Sequence, residues 1–112
     1  MIYKLFRGAE WAAAQAQSRF SGSPADIKDG FIHFSTAAQA AETAAKYFAG
    51  ESGLVLAEID PDRLEAPLTW EPSRGGALFP HLYGALPLSA VGRTWVLSLA
   101  PDGSHTLPPD LG

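Results

Sequence analysis

Residues 29–36, with the sequence DGFIHFST, constrain the fold of this chain more than any other stretch. The Asp-Gly pair is a common turn dipeptide, and the residues after it alternate. In a strand, Phe31 and His33 would therefore face one side, and Ile32 and Phe34 the other. The final Ser-Thr pair is a favoured start for a helix. A histidine beside an aromatic residue at such a junction either has a partner inside the core or faces a ligand.

The hydrophobic pattern predicts both strands and helices in the rest of the chain. Alternating apolar residues predict strands, and apolar residues at helical spacing predict helices. Strands are predicted at 2–6, 31–34, 54–60, 68–71 and 91–99, helices at 9–20 and 36–48, and loops at 25–28 and 72–76. Residues 78–86 form a short segment broken by Pro80 and Gly84. Because both helices come early, this order predicts an α+β fold with mixed or antiparallel strands.

The length and composition indicate one domain. The 112 residues suit a single core, so we expect an α+β domain at 1–100 and a surface tail at 101–112, which contains three prolines. The chain has no cysteine, which excludes disulfides and fits a reducing compartment such as the cytoplasm. No signal peptide is visible, and no apolar run reaches the ~20 residues that span a bilayer.

The charge distribution argues against a nucleic-acid or membrane partner. The net charge is −4, from 12 acidic and 8 basic residues, and the basic residues are scattered singly. A nucleic-acid footprint needs basic residues clustered on one face. We therefore expect a small-molecule ligand as the partner, and the sequence leaves the oligomeric state open.

Two places with candidate chemistry lie in predicted strands. His33 and Ser35 share a face if the segment is extended; the alternative is a histidine bonded within the core and a serine that begins a helix cap. Glu71 follows Trp70, where desolvation would disfavour the charged carboxylate. The alternative for Glu71 is an edge-strand side chain in solvent.

Two further candidates lie in the segment after residue 72. His81 and Tyr83 share a face if residues 79–84 are extended; the alternative is a rigid loop with packed aromatic rings. Arg74 stands beside two glycines, where guanidinium and backbone N–H groups can contact phosphate. The alternative there is a flexible turn with an exposed arginine, since no known phosphate-loop motif is present.

The strings DGFIHFST at 29–36 and FPHLYG at 79–84 resemble the DUF952 family of small bacterial proteins of uncharacterised function. The resemblance covers about residues 1–95. It also includes Ile2, Tyr3, Lys4, Trp11, Gln39, Thr43, Tyr47, Phe48, Trp70 and Glu71. The family's fold is similar to the ADP-ribosyltransferase superfamily, whose members bind NAD in a cleft between two small sheets. The resemblance therefore implies two small sheets and two helices in the N-terminal half.

The resemblance also implies roles for individual residues. His33, Glu71 and Tyr83 are the expected catalytic residues, with Tyr47 as the alternative aromatic. The expected ligand-binding residues are Ser35, Thr36, Trp70, Arg74 and His81. No cofactor or metal site is assigned, and NAD is the candidate substrate.

The chemistry of NAD cleavage suits these residue types. Breaking the nicotinamide–ribose bond passes through a cationic state that a carboxylate stabilises, while a histidine binds a ribose hydroxyl and an aromatic ring stacks on nicotinamide. The sequence thus predicts a cleft lined by His33, Ser35, Glu71, His81 and Tyr83. Two alternatives stay open. One is a metal-assisted hydrolase using His33, His81 and Glu71, and the other is a non-catalytic binding module.

Overall fold

The computed structural model describes residues 1–73 and 75–111. Within them the chain forms three α-helices, two short 3₁₀ turns and ten strands. The helices are α1 (Gly8–Gln17), α2 (Pro24–Asp29) and α3 (Ala37–Tyr47). The strands are β1 (Ile2–Phe6), β2 (Arg19–Phe20), β3 (Ile32–His33), β4 (Val55–Ile59), β5 (Leu68–Ser73), β6 (Ala77–Leu82), β7 (Leu86–Pro87), β8 (Val91–Val96), β9 (Ser98–Leu99) and β10 (His105–Thr106).

The described strands form four sheets, all antiparallel. Two sheets have three strands, in the orders β1-β4-β8 and β3-β6-β5, and two are ribbons, β2-β7 and β9-β10. The predicted α+β class is confirmed. Besides the two expected sheets, the structure has two ribbons. It also has a third helix besides the two that were predicted.

The middle strand β4 is buried along its whole length, as its continuous apolar run predicted. Residues on opposite faces of its sheet enter two hydrophobic clusters. The first cluster includes Phe6 and Ile59, and the second includes Tyr3 and Leu56. The sheet is therefore covered on both sides.

Residues 32–35 join the two three-stranded sheets. β3 pairs with β6, so that His33 lies opposite His81. Two residues later Ser35 forms a bridge to Tyr3 of β1, with backbone hydrogen bonds of 2.7 and 2.8 Å. Ile32 and Phe34 are buried while His33 is only half-buried, which confirms the predicted alternation. The segment thus crosses from one sheet to the other.

The predicted loop at 25–28 is wrong, because these residues lie within α2. Ser23 caps this helix, its hydroxyl accepting the Asp26 N–H, while the Asp26 carboxylate accepts the Ser23 N–H. Pro24 occupies the first turn, where its missing N–H costs nothing. The Asp29-Gly30 pair is consequently a helix end instead of a hairpin turn, with Gly30 at φ 86°.

Two other predicted boundaries are wrong. The first helix ends at Gln17 because Ser18 adopts a left-handed φ of 59°, after which β2 pairs with β7. The segment at 78–86 was expected to break at Pro80, but β6 runs through it. The β3 ladder ends at His33, so no N–H is needed from Pro80, and its carbonyl accepts the Phe34 N–H at 3.0 Å.

The C-terminal segment expected as a surface tail lies against the rest of the domain. Its strand β10 pairs with β9, and Leu107 and Leu111 pack on the cluster around Tyr3. Asp110 forms an ion pair with Arg93 at 2.9 Å. Over the described ranges, the helices are all too short or too polar to cross a lipid bilayer.

Candidate functional site

A cavity of about 370 Å³ lies along the segment that joins the two sheets. Its volume is in the range of sites for small molecules. Three of the residues predicted from the sequence line it: His33, Ser35 and His81. The other polar lining includes Lys4, Arg7, Glu10, Asp26, Asp29 and Thr43, and the aromatic lining is Tyr3, Phe34, Tyr47, Phe48 and Phe79.

The His33 imidazole lies between two carboxylates of α2. Its Nδ1 is 2.6 Å from Oδ1 of Asp26, and its Nε2 is 2.9 Å from Oδ2 of Asp29. The two acids lie three residues apart, which places them on one face of the helix. Both ring nitrogens can donate at once only in the protonated imidazolium. The geometry therefore favours a positive charge on His33.

The Asp26 carboxylate connects α2, β3 and β1. It is buried, and it accepts hydrogen bonds from the Ser23 N–H, the His33 N–H and the His33 ring, with the Lys4 ammonium at 3.3 Å. Burial disfavours its charged form, but the hydrogen bonds from His33 and Ser23 and the attraction of Lys4 outweigh it. The pKa of Asp26 consequently lies well below its usual value.

Lys4 is a buried cation on β1. Its Nζ donates to the His33 carbonyl oxygen at 2.9 Å and lies within 6 Å of three phenylalanine rings. Burial lowers the pKa of Lys4, and the attraction of Asp26 opposes this shift. The predicted site residues do not include Lys4, although strand alternation places it on the same face as the core residues Ile2 and Phe6.

His81 on β6 is oriented by a second carboxylate. Its Nδ1 lies 2.8 Å from Oε1 of Glu71, and the Tyr83 hydroxyl donates to the same oxygen at 2.7 Å. The Phe31 ring stacks on His81 with a centroid distance of 4.0 Å. The His81 and His33 rings are 5.4 Å apart and nearly perpendicular, at 68°. The two imidazoles thus form one cluster, each with its own acidic partner.

The electrostatics of Glu71 differ from the expectation. Hydrogen bonds from Tyr83 and then His81 lower the pKa of Glu71, whereas desolvation by Trp70 was expected to raise it. The reason is strand geometry, since neighbouring residues point to opposite faces. Trp70 is 46% exposed, and Glu71 is on the other face with His81.

The predicted site residues fall into three groups. His33, Ser35 and His81 line the cavity, and the Ser35 hydroxyl lies 2.9 Å from that of Thr43. Contrary to expectation, Glu71 and Tyr83 do not line the cavity. Glu71 is hydrogen-bonded to His81, and Tyr83 is hydrogen-bonded to Glu71. Two predicted ligand-binding residues lie elsewhere, since Thr36 caps α3 and Trp70 is exposed. The prediction for Arg74 falls outside the described residues. The alternative aromatic Tyr47 lines the cavity.

The residues of the predicted metal set do not converge. Both His33 nitrogens are occupied by Asp26 and Asp29, and the His81 Nδ1 is occupied by Glu71. Throughout residues 1–73 and 75–111, the structure has no group of three or more His, Asp or Glu side chains that could hold a metal ion. The donor geometry therefore does not support the metal-hydrolase alternative.

Comparisons with known proteins identify relatives of the same fold. Residues 5–94 match the family described as protein of unknown function (DUF952). The crystal structure of protein CC0527 from Caulobacter crescentus is 52% identical, covers 94% of this chain and 92% of its own, and has a TM-score of 0.89. The solution NMR structure of CC0527 is 53% identical, with coverages of 92% and 89% and a TM-score of 0.81. No curated protein matches. These likenesses support the predicted family and the α+β class, and they do not extend to the predicted ADP-ribosyltransferase-like fold.

Proposed function

The chain belongs to the DUF952 family of proteins of unknown function, and we propose that its cavity binds a small nucleotide-like ligand, with NAD as the first candidate. One observation carries the proposal. His33 and His81 lie opposite each other on paired strands, each is oriented by a carboxylate, and both line the same cavity. Oriented imidazoles beside a small pocket are typical of ligand-binding and catalytic sites.

The rest of the lining suits a ring and a sugar better than a phosphate chain. Tyr47 and Phe48 offer aromatic surface for a heterocycle, and Ser35 offers a hydroxyl. Among the described residues, the cations of the lining are already paired, Lys4 with Asp26 and Arg7 with Glu51. We therefore expect a nucleoside-sized part of the ligand to enter, with its phosphates outside.

ADP-ribosyl transfer is the reaction that we propose for this cavity in addition to ligand binding. It requires a carboxylate near the ribose to stabilise developing positive charge. Of the carboxylates in the described lining, Asp29 is the most exposed, at 47%, and is the candidate for this role, while Glu71 acts through His81. In the alternative of a non-catalytic module, the same residues bind the ligand and leave it unchanged.

The proposal is tested by titrating NAD and ADP-ribose into the ¹⁵N-labelled protein. The imidazole signals of its three histidines are followed by NMR. We expect saturable shifts of His33 and His81, and none of His105, which is outside the cavity lining. His81→Ala should weaken binding about tenfold, the equivalent of one lost hydrogen bond.

A matched control variant distinguishes residues that line the cavity from a predicted ligand-binding residue that does not. Trp70→Phe changes a predicted ligand-binding residue that does not line the cavity, so its affinity should equal that of the wild type. Absence of saturable shifts with both nucleotides would refute the proposal. Equal shifts of all three histidines would refute it as well.

A further inference from the structure

We propose that His33 and His81 divide acid–base work in the cleft. His81 accepts a proton through Nε2 from a hydroxyl or a water in the cavity, and His33 carries a proton that it donates to an acceptor oxygen. This rests on the proposed function, because it assigns the chemistry of the same cavity. It also restricts the ligand class to molecules with a hydroxyl donor and an acceptor oxygen close together, as in a sugar.

The hydrogen bond to Glu71 determines which nitrogen of His81 is unprotonated. The pKa of Glu71 is lowered by bonds from Tyr83 and His81, so at neutral pH it is a carboxylate, which only accepts. The Nδ1 of His81 must therefore carry the proton. In the neutral ring this leaves a lone pair on Nε2. Among the described residues Glu71 is the hydrogen-bonding partner of this ring, which leaves Nε2 for a ligand.

The two carboxylates around His33 favour a proton on both of its ring nitrogens, unlike the single proton on His81. The bond to Asp26 is buried, and Ser23 and Lys4 also contact that carboxylate. Asp29 is exposed at the end of α2, so it is the exchangeable partner of the His33 Nε2. A ligand oxygen that displaces Asp29 would receive the Nε2–H. His33 is therefore the proton-bearing member of the pair.

The proton balance is simple. One proton moves from a ligand O–H to the Nε2 of His81, and the bonding pair stays on the oxygen. The resulting imidazolium is stabilised by Glu71 on β5, while His33 on β3 and Tyr83 are the other titratable neighbours. His33 gives one proton to the acceptor oxygen and keeps Nδ1–H bonded to Asp26. Exchange with solvent restores both rings, and no oxidant or reductant is needed.

Histidine-selective ¹⁵N NMR of the ligand-free protein at neutral pH tests the assignment. We expect neutral His81 to be protonated on Nδ1 and unprotonated on Nε2, and His33 to be protonated on both nitrogens. His105 is an internal standard of the opposite tautomer, since its Nε2 lies 2.7 Å from the Phe48 carbonyl oxygen and must donate. A His81 protonated on Nε2, or a singly protonated His33, would overturn the proposal.

Two single substitutions make the test specific. Glu71→Ala should abolish the Nδ1–H preference of His81 and leave the His105 signals in place, which reports that the fold is intact. Asp29→Ala should remove the doubly protonated signature of His33, because it removes the acceptor of the Nε2–H, whereas Asp62→Ala, at an exposed acid outside the cavity, should not. An unchanged His33 in Asp29→Ala would contradict the assignment. Because no ligand is used, failure of NAD to bind would refute the proposed function alone.

Discussion

The side chain of Asp26 connects three parts of the chain. It accepts hydrogen bonds from its own helix cap at Ser23 and from the strand residue His33, and it forms an ion pair with the buried Lys4. Replacing one member of a buried ion pair leaves the other charge without compensation. We expect Asp26→Asn to lower the free energy of unfolding by about 3 kcal/mol, measured by urea denaturation. Asp62→Asn is the control, with a change within about 0.5 kcal/mol.

The same variant has a defined dependence on pH. The pKa of Asp26 is lowered in the folded state, so its stabilising contribution is complete above the ordinary aspartate pKa of about 3.9. That contribution is lost as the pH falls further, through the lower folded pKa. The difference in stability between the wild type and Asp26→Asn should therefore be full at pH 6 and shrink below about pH 4. A difference that grew on acidification would contradict this account.

The hydroxyl of Tyr83 is the first cause of the lowered pKa of Glu71. Tyr83→Phe removes that donor and keeps the ring near Phe31, 5.4 Å away. We expect the pKa of Glu71 to rise towards the ordinary glutamate value, as followed by carboxyl ¹³C NMR. The carboxyl signal of the exposed Glu42 is the control and should not differ between the two proteins, and an unchanged Glu71 would show that the 2.7 Å bond is absent in solution.

Sequence reasoning found the histidines but not the acids that orient His33. His33 was identifiable because strand alternation separates it from Ile32 and Phe34. Asp26 was not, since it lies in a segment interpreted as a loop. Lys4 was overlooked because a single lysine in a strand is usually at the surface. The partners of a buried charge are set by tertiary contacts that sequence spacing does not reveal.

At the scale of elements, α2 depends on its C-terminal glycine. Gly30 has φ 86°, and a Cβ added there would meet no atom within 4 Å, so substitution costs backbone strain alone. We expect Gly30→Ala to lower the free energy of unfolding by about 1 kcal/mol. Gly30→Asn should cost less, because asparagine tolerates this conformation. Equal losses in thermal or urea unfolding would contradict the argument.

Element length decided which parts of the fold were predictable. β1, α3 and β4 have apolar periodicity over five or more residues, and their predicted bounds were within one residue or two of those found. α2 has six residues, and β2 and β10 have two each. Such short elements exist only because neighbouring parts of the chain hold them, since isolated short helices are unstable in water.

For the whole molecule, the C-terminal hairpin covers one of the two hydrophobic clusters. Leu107 is partly buried against the cluster that contains Tyr3 and Leu56. We expect Leu107→Ala to lower the free energy of unfolding by about 1 kcal/mol, less than a fully buried leucine would lose. Leu99→Ala, at a leucine of β9 that is 37% exposed, is the matched control and should cost clearly less. Equal losses would mean that the hairpin is not part of the packed domain.

The four residues 32–35 span the distance between the two sheets, pairing with β6 at one end and with β1 at the other. Inserting or deleting one residue in this span would turn His33 towards the core and bring Ile32 or Phe34 onto the face that His33 now occupies, because side chains in a strand alternate. The alternation of side chains therefore fixes the length of this span. If the cavity binds a ligand as proposed, its preference can change by substitution around the cavity, while insertions are confined to the surface turns.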